Sequence, residues 1–462
     1  MVRFANLVFV LLFAGSILVL AFVLNGHERF LSSMSRKVLF LGVPAVGIAL
    51  AIVGFRLGPQ MRILKGMMLI AVAAGCYAAE GFLTVRSGMP AAAEDHPPNF
   101  DTRTKYQVVA GMRAEGNRAY PSVFPAYFLE TQIDGNLKSP LSIDERETLP
   151  LGGIANATTV LCNESGQYVT FLSDRHGFNN PDAVWENKNV QILSVGDSFA
   201  QGYCVSPPHH FMGRIQSEIP ATVNLGISGN GPLMELASLL EYGPSLKPLT
   251  VLWVFFEGND FQGNLSIEKR STLLQAYLAS DFRQDLIARK SRVDKQLRTL
   301  IDAKLESNPD RREVDAGTLQ SIISFVGLSQ LRQAILGRRT HGQPDYVLFE
   351  KIMKRAKTAV AQWDGQIQFV YLPSSYRVFE APAEAMRELD RIRARVLRIV
   401  GDLNLPIIDI QNHISRHPDA AALFPFRRPG HYNEQGHGFV AEKILKSVRT
   451  AARSVDGFAG TR

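Results

Sequence analysis

The stretch NVQILSVGDSFAQGYCV, residues 189–205, runs an apolar segment straight into Gly196-Asp197-Ser198. Val190–Val195 is short, β-rich and bounded by turn residues, which is the pattern of a strand buried on both faces. Small residues then lead toward a helix. Ser198 therefore sits where a strand hands over to a helix. A serine there either caps the helix or is held as a nucleophile.

Four further apolar runs follow: Thr222–Leu225, Thr250–Phe256, Ile367–Leu372 and Pro406–Ile410. Helical patterns lie between them at Leu233–Tyr242, Tyr346–Trp363 and Ala383–Val400. In the last, Leu389, Ile392, Val396 and Ile399 recur at spacings of three or four, the mark of one apolar helix face. Strands alternating with helices predict an α/β domain, a parallel sheet covered on both faces. Five strands suit the flavodoxin-like order, whose ligands bind beyond the carboxyl ends of the strands.

Four polar motifs fall at those ends. Gly196-Asp197-Ser198 follows the first strand, NLGISGNGP (Asn224–Pro232) the second and FEGNDF (Phe256–Phe261) the third. PGHYNEQGH (Pro429–His437) follows the last. This series resembles the SGNH (GDSL-type) hydrolase superfamily over about Val190–Leu445. The resemblance implies a three-layer, flavodoxin-like fold and a serine hydrolase that needs no metal or other cofactor. It makes Ser198 the nucleophile and His431 the general base. It assigns the oxyanion hole to Ser198, Gly229 and the Asn259 side chain, with Gly226 as the rival glycine. These residue types suit acyl transfer. A serine hydroxyl needs a neighbouring base, and the tetrahedral oxyanion needs fixed donors in a dry site.

The chain departs from the family pattern in one place. The acid usually found two or three residues before the histidine is replaced by Arg428 and Pro429, within LFPFRRPGHYN. Asp419 is the first candidate for the third triad member and Asp409 the second; a Ser-His dyad with a carbonyl partner and a loss of activity are the remaining options.

The chain has 462 residues, net charge +7 and three cysteines. Basic and acidic residues are interspersed, which suits an anionic lipid or glycan surface and gives no indication of nucleic acid. Phe4–Leu24 is an uncharged run long enough to cross a bilayer core of about 30 Å. It has no small-residue cleavage site after it, unlike a signal peptide. Val38–Phe55 and Met67–Leu83 follow, so residues 1–84 read as a membrane region of two to three helices, with three favoured. Glu80 is expected near the end of its span, reaching toward headgroups. Flanking cations balance at four against four for three spans (Arg3, Arg56, Arg62 and Lys65 on one side, Arg29, Arg36, Lys37 and Arg86 on the other), so charge does not orient the spans.

Residues 85–101 read as a linker and 102–188 as an accessory β-rich segment. Within it, Thr158–Cys162, the turn Asn163-Glu164-Ser165-Gly166 and Gln167–Leu172 form a hairpin pattern. The catalytic domain spans 189–450 with a helical insert at 261–344, and 451–462 is a tail. In the insert, Leu286, Ile287, Val293, Leu297, Leu300 and Ile301 mark an inner face, and Arg289, Lys290, Arg292, Lys295 and Arg298 a basic outer one. Cys162 and Cys204 are the only cysteines outside the apolar runs and are expected to form one disulfide in an exported domain.

The combined expectation is an inner-membrane ester hydrolase with its catalytic domain on the outer side. It would act through an acyl-enzyme on acyl esters of cell-envelope or exported polysaccharide, beside possible polysaccharide-assembly partners. Polysaccharide O-acyl transfer and a catalytically silent glycan-binding or assembly protein are the alternatives.

Overall fold

The computed structural model describes residues 1–24, 38–88, 99–132, 134–279, 281–306, 344–379 and 381–459, together with 325, 327, 328 and 331. Most of the expected linker, the insert's second half apart from those four positions, and the last three residues of the tail lie outside the described residues. The chain forms two compact units, Met1–Asp95 with Val314–Arg339, and His96–Glu313 with Thr340–Arg462.

The first unit holds helices α1 (Val2–Leu24), α2 (Val43–Arg56) and α3 (Pro59–Gly88). The apolar parts of α1 and α3 are long enough to span a membrane; the middle apolar stretch, Phe40–Arg56, is shorter. Gly47 and Gly54, seven residues apart, let α2 approach α1 closely. A β-carbon at those positions would meet Ser16 Oγ at 2.4 Å and the Phe9 ring at 2.3 Å. Helix α3 begins earlier than its apolar core suggests, at Pro59, and ends later, so the first four residues of the expected linker are its last turn. Glu80 is buried, and its carboxylate accepts the Leu331 N–H at 2.6 Å.

The second unit opens with helix α4 (Lys105–Ala114), which the β-rich expectation for 102–188 did not include. Thr104 and Gln107 form a reciprocal capping box at its start. Strands β1 (Ala119–Pro121), β2 (Thr158–Cys162) and β3 (Val169–Leu172) make a small sheet in the order β1-β2-β3. The expected hairpin is its antiparallel β2–β3 pair, with an irregularity between Val160 and Cys162.

The central sheet consists of β4 (Ile192–Val195), β5 (Thr222–Asn224), β6 (Thr250–Phe256), β7 (Gln366–Leu372) and β8 (Ile407–Asp409). Its order is β5-β4-β6-β7-β8 and every pair is parallel. This is the flavodoxin-like arrangement, a three-layer α/β fold with one parallel sheet between two helical layers. Side chains alternate across the sheet as a two-residue period requires. Leu193, Val195, Val251, Trp253, Phe255 and Phe369 face one core with helices α5 (Pro232–Leu246), α6 (Tyr346–Ala361) and α7 (Ala383–Asp402). Ile192, Leu252, Val254, Val370 and Leu372 face the other core, with α8 (Glu434–Ala459). The expected tail is thus largely the end of α8, which runs on to Ala459.

The insert helix, Leu286–Glu306, buries Leu286, Leu297 and Ile301 as expected. It also buries Arg289, placed by its sequence position on the basic outer face. That guanidinium donates to the carbonyls of Gln284 and Ile143 and lies 3.8 Å from the Asp144 carboxylate, so protein groups rather than solvent meet its charge.

Candidate active site

The turn after β4 is built for close packing. A β-carbon at Gly196 would meet the Ala200 side chain at 2.7 Å and Val254 at 3.0 Å. Asp197 caps the single-turn helix Ser198–Gln201, its carboxylate accepting the Phe199 N–H at 2.9 Å. The cap role considered for Ser198 therefore falls to Asp197. Ser198 Oγ lies 2.9 Å from His431 Nε2 and 3.3 Å from Asp197 Oδ2. The nucleophile and base assigned by the resemblance thus meet, although 233 residues separate them.

His431 is held from several sides. The Phe199 ring lies 4.9 Å from its imidazole and the Tyr203 ring 4.7 Å. The adjacent Tyr432 is buried and donates its hydroxyl to Pro373 O at 3.0 Å. The partner of the other ring nitrogen is neither Asp419 nor Asp409. Asp419 pairs with Arg427 at 2.7 Å, and Asp409 pairs with Arg393. Both carboxylates are taken by nearer guanidinium groups.

The acid at His431 is Glu164, from the turn between β2 and β3. Its Oε1 lies 2.7 Å from His431 Nδ1, and its Oε2 accepts the His431 backbone N–H at 3.1 Å. A β-carbon at Gly430 would sit 3.3 Å from Glu164 Oε2, so a glycine leaves room for this approach. Burial raises the Glu164 pKa, but the hydrogen bonds and charge of His431 outweigh burial and hold it below the usual value. Glu164 is not among the acids the sequence suggests for His431, because it lies 267 residues away in the chain. A signal was present. Glu164 lies two residues after Cys162, and Cys162 is disulfide-bonded to Cys204, six residues after Ser198, with Cα atoms 5.2 Å apart. The expected pairing of those cysteines already carried the hairpin turn toward the nucleophile.

The candidate oxyanion donors occupy the same sheet edge. Gly229 has φ +83°, a left-handed conformation open to glycine. Its loop is braced from the helix that begins at Ser198, because Gln201 Oε1 accepts the Ser228 N–H at 3.0 Å. The insert clamps the other side. Asn264 Nδ2 donates to Asn230 O at 2.6 Å, and the Glu268 carboxylate accepts the N–H groups of Gly231 and Leu233. The rival Gly226 has a packing role: a β-carbon there would meet the Ala200 backbone at 2.6 Å. The Asn259 side chain is among the groups that hold the Asp197 carboxyl down against the effect of burial, which places it near the residue that touches Ser198.

Several buried acids stand behind this edge. Burial, and then the charges of Glu268 and Asp197, push Glu235 well above the usual carboxylate value. Asp260 is raised in the same way, by burial first and then by Glu235 and Asp197. Burial also raises Glu268, to about 7. Two other histidines near the site are structural. His210 accepts the Gly213 N–H and His437 the Phe211 N–H, and burial lowers both pKa values, that of His210 to about 4. Among the described residues, no group of His, Cys, Asp and Glu is arranged to hold a metal ion.

No family model matches the chain, and neither does any curated protein. Solved structures do. A lipase/acylhydrolase from Enterococcus faecalis aligns with 56% of this chain and 96% of its own, at 15% identity and a TM-score of 0.31. A lipolytic protein of the G-D-S-L family from Desulfitobacterium hafniense aligns over 56% and 99%, at 11% identity and a TM-score of 0.32. An acetyl xylan esterase aligns over 56% and 100%, at 12% identity and a TM-score of 0.30. With scores this low, the chemistry has to be read from the side chains themselves.

Proposed function

We propose that this chain is a membrane-anchored serine esterase that acts through an acyl-enzyme on Ser198. The observation that carries this reading is the relay of Ser198 Oγ, the His431 ring and the Glu164 carboxylate, with contacts of 2.9 and 2.7 Å. His431 takes the serine proton as Oγ attacks the ester carbonyl, and Glu164 stabilises the imidazolium that results. The oxyanion forms against the Gly229 N–H and the Asn259 amide. His431 then returns the proton to the leaving alcohol. Water, activated by the same imidazole, releases the acid.

The substrates in this reading are acyl esters on cell-envelope or exported polysaccharide, with the catalytic unit on the outer side of an inner membrane. Two apolar helices of spanning length support an anchor, and a disulfide in the catalytic unit suits an oxidising compartment. A sugar hydroxyl in place of water would convert the same acyl-enzyme to an O-acyltransferase. A silent binding protein had its main support in the missing acid upstream of His431, and Glu164 fills that place.

The test has two parts. The full chain is treated with a fluorophosphonate, which should attach to Ser198 and not to a Ser198→Ala variant. It is then given O-acetylated envelope glycan, and the products are weighed by mass spectrometry. Free acetate supports hydrolysis, and acetate appearing on an added glycan supports transfer. Equal labelling of the Ser198→Ala variant defeats the serine-enzyme reading.

A further inference from the structure

A line of aromatic rings leads from open solvent to the catalytic histidine. The chain turns at Pro125–Phe128 in a 3-10 helix, where side chains three residues apart eclipse one another. Phe124 and Tyr127 are so spaced, and the Tyr127 N–H closes the turn on Phe124 O at 2.9 Å. Their rings stack 5.2 Å apart at 24°. Phe124 meets Tyr203 edge-on at 6.3 Å, and Tyr203 lies 4.7 Å from the His431 ring. Phe124 also borders the candidate oxyanion glycine, since a β-carbon at Gly229 would sit 3.6 Å from its Cδ1. Tyr127, the outer end, is 77% exposed although its ring is held in a stack.

We propose that Phe124, Tyr127 and Tyr203 form a shelf for the pyranose ring that carries the ester, which deepens the esterase reading and rests on it. A pyranose has an apolar C–H face and a rim of hydroxyls. An aromatic face carries negative charge density and attracts polarised C–H groups, while the sugar hydroxyls stay in water. The shelf suits such an amphipathic ring because it is open. A long acyl chain on it would leave much of its apolar surface wet and gain little of its burial energy. The rings sit on the side of the oxyanion glycine and the base that returns a proton to the leaving group, where the alcohol portion of an ester belongs.

The experiment uses the full chain in detergent and three esters: vinyl acetate, methyl tetra-O-acetyl-glucopyranoside and vinyl laurate. The readout is the ratio of kcat/KM for the pyranoside to that for vinyl acetate. Tyr127→Ala should lower this ratio by about tenfold, chiefly through KM, while Tyr127→Phe, which keeps the ring, should hold it within about twofold. An unchanged ratio in Tyr127→Ala overturns the shelf. So does a selective loss on vinyl laurate, which would make the rings an acyl site. If wild-type protein hydrolyses none of the three and Ser198 takes no fluorophosphonate, the esterase reading fails and the shelf with it. Activity on vinyl acetate with an indifferent Tyr127 variant rejects the shelf alone.

Discussion

The Glu164 carboxylate meets His431 Nδ1 at 2.7 Å across 267 residues of chain, from a hairpin turn outside the central sheet. In the esterase reading, the acid that orients the base thus belongs to the segment before the α/β core. The accessory sheet is part of the catalytic apparatus in this reading, and disturbing the hairpin disturbs the base.

Replacing Glu164 should therefore act on kcat. Glu164→Gln keeps the shape but removes the charge that stabilises the imidazolium. A loss of about 10²–10⁴-fold in kcat is expected, by analogy with amide replacement of a triad acid. Asp419→Asn, which only loosens an exposed pair with Arg427, should leave kcat near wild type. Steady-state kinetics on a small acetyl ester check both, and a larger loss for Asp419→Asn than for Glu164→Gln would reverse the assignment.

The Cys162–Cys204 bridge ties the turn carrying Glu164 to the segment that follows Ser198. Reduction, or Cys162→Ser, should lower kcat toward the level of Glu164→Gln, because the acid loses its tether. In a Glu164→Gln background the same reduction should have little further effect. Thiol counting alongside the kinetics makes this decisive. Full activity with both thiols free would show that the hairpin holds Glu164 without the bridge.

The glycines and Asn259 separate structural from chemical loss. Asn259→Ala should reduce kcat by about 10²–10³-fold, the usual cost of one oxyanion donor, with the fold retained. Gly226→Ala should instead destabilise the protein, because its methyl group runs into the Ala200 backbone at 2.6 Å. Thermal melts and kinetics on the two variants should diverge in that way. An intact melt for Gly226→Ala would remove the packing role given to that glycine.

The buried acids predict a pH dependence of stability. Glu268 binds its proton more tightly folded, at about 7, than at its ordinary value of 4.5. Stability present at low pH should fall as pH rises through that window, each unit being worth about 1.4 kcal/mol. Asp197, Glu235 and Asp260, all raised and all buried, add to the slope. Denaturant titrations at several pH values should show a flatter profile for Glu268→Gln than for wild type. An identical slope in the variant would mean that Glu268 does not titrate there.

What the sequence determined by itself is the α/β order and the strand ends. Buried strands write themselves as local apolar runs. Thr250–Phe256 was legible to the residue, and the other four central strands to within two residues at either end. Gly196-Asp197-Ser198 and Pro429–His437 were legible because each motif is contiguous and follows a strand. Only the tertiary structure decided which carboxylate faces His431, that Arg289 turns inward to two carbonyls, and that Phe124 and Tyr127 stand beside the site. Each of these depends on side chains far apart in the chain coming within a few ångströms. Apolar periodicity sets which face of an element is buried. It carries no record of which partner waits there, and Asp419 and Asp409, nearer in sequence to His431, were drawn off by Arg427 and Arg393.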